Sequence, residues 1–212
     1  EEFFAYLARA ATLPKTANPG PGDYMEAFKE AAQRSDQVIS LHMTSLGSGA
    51  YQAASLAKQM ARSELPGIRI EVVDTLNVSM CHGWMAIEAA RAAQAGQSLD
   101  EILRSVQRMI PVTRMIQTAD TLRYLHLGGR IGRAKHLVGS ILNIKPLIGM
   151  EEGIIVALGT ARSRRGAYRR IAEMVEEDVG PGGRIKLALV HVAAQEEAEQ
   201  LRTLVAERVH CV

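Results

Sequence analysis

Residues 38–74 constrain the fold more than any other stretch. The apolar run at 38–43 predicts a buried strand, and the small, hydroxylated loop Thr44-Ser45-Leu46-Gly47-Ser48-Gly49 ends it. A strong helix former follows at 50–62. Then comes IRIEVVD, at 68–74, continuous enough in β-branched residues to be buried on both faces. Strand, loop, helix and strand in that order are the pattern of an α/β protein with parallel strands.

The loop also suggests chemistry. A strand feeding a short Ser/Gly turn that opens a helix gathers free N–H groups and the positive end of the helix dipole at one spot. That arrangement suits an anion. This loop is too small to cradle a nucleotide, but Ser45, Ser48 and Gly49 together would fit a carboxylate. Two alternatives stay open. Ser and Gly at a helix start are often caps worth about 1 kcal/mol. A small serine hydrolase acting on an acyl ester through Ser48 is the other, although Leu46 and Ala50 occupy the outer positions of G-x-S-x-G and no Asp/His partner is identifiable.

Along the rest of the chain, helices are predicted at 1–10, 24–34, 81–95 and 99–110. The last is opened by Ser98 as N-cap, with Glu101 completing a capping box. Beyond Pro111 the pattern changes. Strands are expected at 114–120, 145–150, 154–160 and 185–192, with helices at 121–126, 135–142, 166–178 and 196–208. Glu151-Glu152-Gly153 reads as a tight hairpin turn. The expected architecture is α/β in two lobes, a parallel doubly wound front lobe over 1–111 and a mixed, antiparallel rear lobe over 112–212. The chain opens on Glu1 inside a helical pattern, so material is expected to be missing at both ends.

A net charge of +2 does not argue for a nucleic-acid partner. No apolar run reaches the roughly 20 residues of a membrane span, and no signal peptide opens the chain, so a cytoplasmic location is expected. The two cysteines cannot form a disulfide framework. Cys81-His82 and His210-Cys211 lack metal-ligand spacing, so neither a metal nor a cofactor is expected. Nine Met against three Phe suggest an adaptable interior, suited to a flexible aliphatic ligand if a few of them line a tunnel. The glycines of Gly128-Gly129-Arg130-Ile131-Gly132-Arg133 follow a helix, not a strand, and so end it rather than bind a dinucleotide. Arg130, Arg133 and the run Arg162-Ser163-Arg164-Arg165 read either as solvated faces or as docking sites for an anionic head, protein or membrane.

Five segments in order carry a resemblance: PKTANP from Pro14, SLGSGAYQAA from Ser45, DTLRYL from Asp120 with GGRIG from Gly128, Leu142-Asn143-Ile144-Lys145-Pro146, and Arg162-Ser163-Arg164. Together they resemble the DegV family over nearly the whole chain. The resemblance implies a two-domain α/β fold with one long-chain fatty acid held between its lobes. It implies a bacterial lipid-binding subunit of fatty acid kinase with no catalysis of its own. Such a subunit presents the carboxylate to an ATP-using partner that makes acyl phosphate for phospholipid synthesis. Carried over by position, Ser48 and Thr16 contact the head group and Arg162 is the nearby cation. Arg130 and Arg133 face the partner or, transiently, an anionic membrane. Ala17-Asn18 and Ala50 depart from the family pattern, each removing a hydroxyl near the proposed head group.

Overall fold

A computed structural model describes residues 2–10, 12–138 and 144–212. In chain order the elements are α1 (Glu2–Arg9), α2 (Pro21–Ala32), β1 (Gln37–His42), α3 (Ala50–Glu64), β2 (Arg69–Asp74), α4 (Ser79–Gln94), α5 (Leu99–Met109) and β3 (Ile116–Thr118). They continue with α6 (Arg123–Leu127), β4 (Lys145–Glu151), β5 (Ile154–Ala161), α7 (Arg164–Val179), β6 (Arg184–Ile185), α8 (Gln195–Ala206) and β7 (His210–Cys211). Short 3-10 turns occupy Ile110–Val112 and Gly132–Leu137.

The chain divides into two compact units. One holds Asn18–Met115 with Met150–Ile155; the other holds Glu1–Ala17, Ile116–Gly149 and Val156–Val212. The sequence suggests a single cut after residue 111. The units instead assign the N-terminal helix to the rear body and the tip of the β4–β5 hairpin to the front one, and neither assignment has a local signal.

In the front unit β1 and β2 pair in parallel, with Gln37 opposite Arg69 and His42 opposite Asp74. Alternation along the strands sends side chains to two faces. Val38, Ile70 and Val72 pack under α2 and α3, against Met25, Phe28 and the alanine stripe Ala54, Ala57 and Ala61. Ile39, Leu41 and Val73 pack under α4 and α5, against Met85, Ala89, Ile102 and Val106. Helices on both faces of a parallel sheet make this unit doubly wound, as expected. Helix α2 begins three residues before the expected start, because Pro21 supplies a preset φ and the Asp23 carboxylate accepts the Gly20 N–H at 2.8 Å. The Ser98–Glu101 capping box forms on α5: Glu101 Oε2 accepts the Ser98 N–H at 2.8 Å, and Ser98 Oγ accepts the Glu101 N–H at 3.4 Å.

In the rear unit a three-stranded sheet has the order β3-β4-β5, with β3 antiparallel to β4. Leu147 packs against Ala167 and Ile171 of α7, while Ala172, Val205 and Val209 join α7 to α8. The strand expected at 185–192 is corrected: β6 covers Arg184–Ile185 only, paired in parallel with β7. The apolar sequence suits a longer strand, but the ladder with β7 pairs only Arg184 with His210 and Ile185 with Cys211. The expected strand at 114–120 likewise shrinks to the three residues that β4 pairs. Where a helix at 135–142 was expected, a 3-10 turn spans Gly132–Leu137. Residues 139–143, including Leu142 and Asn143 of the fourth motif, lie outside the described residues.

The β4–β5 turn has two residues, Glu152 at φ 49° and Gly153 at φ 80°. Two positive φ values in a two-residue loop are the geometry whose twist matches a hairpin. Gly153 O accepts a buried hydrogen bond of 2.9 Å from Thr44 Oγ1. A Cβ at Gly153 would come within 2.5 Å of that oxygen. The hairpin tip is therefore fitted to the loop that follows β1.

Candidate functional site: the loops that end the two parallel strands

Parallel pairing brings the C-terminal ends of β1 and β2 side by side, where open α/β sheets place their ligands. The loops leaving the two strands are joined by hydrogen bonds. Thr75 N–H and Thr75 Oγ1 both donate to His42 O, at 3.0 and 2.7 Å. Thr44 N–H donates to Asn77 O at 2.9 Å. The Asp74 carboxylate accepts the Ser45 N–H at 3.2 and 3.3 Å and the Leu76 N–H at 3.0 Å. Thr44, Thr75 and Asn77 are buried, and each polar side chain has a partner.

Within the first loop, Gly47 and Ser48 N–H both donate to Thr44 O at 3.1 and 3.2 Å, and Leu46 N–H reaches Thr44 Oγ1 at 3.3 Å. Ser48 Oγ accepts the Ala50 N–H at 3.2 Å, at the start of the 15-residue α3. The expected row of free loop amides is thus corrected. Those of Ser45, Leu46, Gly47 and Ser48 are all engaged in folding the turn. Among the described residues, nothing accepts a hydrogen bond from the Gly49 N–H or from the Ser45 and Ser48 hydroxyls. The Ser48 hydroxyl thus caps the start of α3, and accepting from Ala50 leaves its proton able to donate. Asn18 joins this group: its Oδ1 lies 2.9 Å from where a Gly49 Cβ would be, and its Nδ2 donates to Pro19 O at 2.7 Å. Any side chain at 49 would displace Asn18.

Two histidines lie beneath the loops, and neither hydrogen-bonds the Ser48 hydroxyl. His42 is buried, with its Nε2 2.7 Å from Ser40 Oγ and its ring edge-on to Tyr24 at 5.2 Å. Burial, followed by the nearby His82, pushes its pKa down, against an opposing pull from Asp74. His82 Nε2 sits 3.1 Å from Leu41 O. The base that a hydrolase needs beside its nucleophile is not among the described partners of Ser48. Cys81 donates to Arg114 O at 3.3 Å, and burial raises its thiol pKa. Among the described residues, no three His, Cys, Asp or Glu gather as a metal site.

The remaining expected site residues belong to the rear unit. Thr16 is exposed in a loop, and Arg162 is exposed just after β5. Ser163 caps α7 by accepting the Gly166 N–H at 3.1 Å. Arg130 Nη1 donates to Gly128 O at 2.8 Å, and Arg133 is exposed on the 3-10 turn. A further cluster has no signal of its own in the sequence, although three of its four members lie in quoted motifs. Asp120 bonds Lys145 Nζ at 2.6 Å and forks onto Arg164, whose Nη1 reaches Glu197 at 2.9 Å.

Arg164 and Lys145 hold the Asp120 carboxyl down to about 2, from 3.8. A folded-state pKa below the unfolded one means stability that is complete above about pH 4 and lost as pH falls toward 2. The Asp120 side chain is 55% exposed, so screening cuts its worth to about 1 kcal/mol. Asp120→Asn should therefore destabilise the protein by about 1 kcal/mol at neutral pH, in denaturant titrations, with the gap narrowing below pH 4. A gap that is the same at pH 7 and pH 3 would contradict the assignment.

Among the described residues no helix is long and apolar enough to cross a membrane. The model described as an uncharacterised protein of the DegV family matches residues 1–211. A DegV domain-containing protein of Caldanaerobacter subterraneus is 33% identical over 196 residues, 92% of this chain and 68% of that protein. The solved structure of a fatty-acid-binding DegV family protein from Thermus thermophilus is 31% identical with a TM-score of 0.87. That match covers 99% of this chain and 75% of the other. A Fatty Acid Kinase (Fak) B3 protein of Streptococcus pneumoniae, loaded with linoleic acid, shares the fold at a TM-score of 0.84. It is 21% identical, covering 100% of this chain and 75% of the other. The family match over almost every residue, together with the α/β architecture that these structures share, makes this chain a member of the DegV family.

Proposed function

We propose that this chain binds one long-chain fatty acid and holds its carboxylate at the start of α3. The observation that carries the reading is the half-buried Ser48 hydroxyl beside the Gly49 N–H, at the positive end of a 15-residue helix. Fatty-acid binding by the Thermus relative, 31% identical, supports it. In this reading Ser45 and Thr16 add hydroxyl contacts, and Arg162 supplies a cation. The carboxylate is then presented to a partner kinase that phosphorylates it, and the chain itself carries out no chemistry. Arg130 and Arg133, on an exposed basic segment, form the face offered to that partner or to an anionic membrane.

Ser48→Ala is expected to weaken fatty-acid binding by about 1.5–3 kcal/mol, the worth of one hydrogen bond to a charged group, while leaving the fold intact. Displacement of a fluorescent fatty acid measures it. Equal affinity of the two proteins would remove Ser48 from the site. Native mass spectrometry of the purified protein tests the reading as a whole: a retained ion of fatty-acid mass supports it, and a ligand-free protein that also fails to take up added palmitate ends it.

A further inference from the structure

The Ser45–Ser48 turn does not hold its shape alone. Bonds from Gly47 and Ser48 N–H to Thr44 O, with one from Leu46 N–H to Thr44 Oγ1, fix Ser48 relative to Thr44. Thr44 and Ser45 are in turn fixed from the β2 side, by Asn77 O and by Asp74. Asp74 bridges both loops. Its Oδ1 accepts from Ser45 N–H at 3.3 Å on one loop and from Leu76 N–H at 3.0 Å on the other. Leu76 has φ 51°, a left-handed conformation that a leucine adopts only when its surroundings hold it there. One carboxylate thus sustains a strained residue and orients the turn carrying Ser48.

The sign of its charge sharpens the point. An acid hydrogen-bonded to the amide of a carboxylate-binding turn repels the ligand that the turn serves. Coulombic attraction therefore cannot be its contribution, which leaves geometry. From this clip we infer that Asp74 is a positioning residue for the head-group site, holding the Ser48 hydroxyl and Gly49 N–H in register through the Ser45 amide. The inference rests on the fatty-acid reading above.

An amide oxygen in the place of Oδ1 keeps one bond to each N–H group, although an amide nitrogen cannot accept the 3.2 Å bond that Oδ2 takes from Ser45 N–H; a methyl group replaces none of the three. Asp74→Asn should therefore keep part of the clip and remove the repulsion; Asp74→Ala should lose the turn. The readout is the ratio of affinities for hexadecanoate and hexadecanol, which share a tail and differ in the head. Asp74→Ala is expected to lower that ratio by about tenfold or more, with hexadecanol affinity unchanged within about twofold. Asp74→Asn, which keeps the Oδ1 bonds, is expected to hold a ratio well above that of Asp74→Ala. If Asp74→Ala retains the wild-type ratio, if Asp74→Asn falls with it, or if the alcohol loses as much as the acid, the assignment is overturned. Should Asp74→Ala not fold, Asp74→Ser makes the same comparison, with faster hydrogen exchange at the Ser45 amide expected and unchanged exchange counting against it. A wild-type ratio near one sinks the head-group reading and this inference together; a high wild-type ratio with indifferent variants sinks the inference alone.

Discussion

Gly153→Ala is expected to lower stability by about 3 kcal/mol, with an apparent melting temperature some 6–12 °C below wild type. Three costs converge on one methyl group. The backbone at φ 80° suits glycine and strains alanine. The new Cβ would lie 2.5 Å from Thr44 Oγ1 and 3.2 Å from a Leu76 methyl. Thr44 is buried and β-branched, so it yields only by rotating its hydroxyl off Gly153 O, leaving a buried carbonyl unpaired. Glu152→Gly is the control. It removes left-handed strain at the neighbouring position and should be close to neutral, because the relief is offset by a freer unfolded chain. Thr44→Ala combined with Gly153→Ala should cost less than the sum of the two, since the clash disappears with the threonine. A Gly153→Ala protein that melts within a degree of wild type would mean that the hairpin tip is not fitted to the β1 loop as described.

Removing four methylenes from the bound fatty acid is expected to weaken binding by about 3 kcal/mol, more than a hundredfold. On the fatty-acid reading, a tail of about fifteen methylenes at about 0.8 kcal/mol each supplies roughly 12 kcal/mol before the entropic costs of association. Each head-group hydrogen bond supplies about 1.5–3 kcal/mol at most. The tail therefore sets affinity, and the Ser48 turn sets which end is presented. Isothermal titration with C12, C14 and C16 acids measures the increment, and the heat-capacity change should grow more negative with length. An increment below about 0.2 kcal/mol per methylene would mean that the tail lies in water.

What was legible in the residues was local. The strand, Ser/Gly loop and helix at 38–64 carry their own punctuation, and the Ser98–Glu101 box announces a helix start three residues apart. The Glu-Gly hairpin turn was equally plain, because few residue pairs suit two positive φ values. What escaped depends on partners far along the chain. The run at 185–192 looks like a strand by composition, yet only Ile185 of it is paired, with Cys211, which is far along the chain. Asp74 reads as the last polar residue of a strand; only the parallel register with His42 reveals that it faces the Ser45 amide. The loop amides were expected to be free because a turn's internal bonding is invisible until Thr44 O is seen collecting two of them. In the sequence Asn18 is only a departure from a family pattern, whereas folding lays its carboxamide against Gly49.

The Asp120 cluster bears on how relatives can diverge. One acid serves Lys145 and Arg164 at once, so losing it removes two ion pairs and leaves Arg164 with Glu197, whereas losing either cation removes only one of Asp120's pairs. A neutral residue at 120 is therefore expected to cost more than one at 145, within the modest worth of an exposed ion pair.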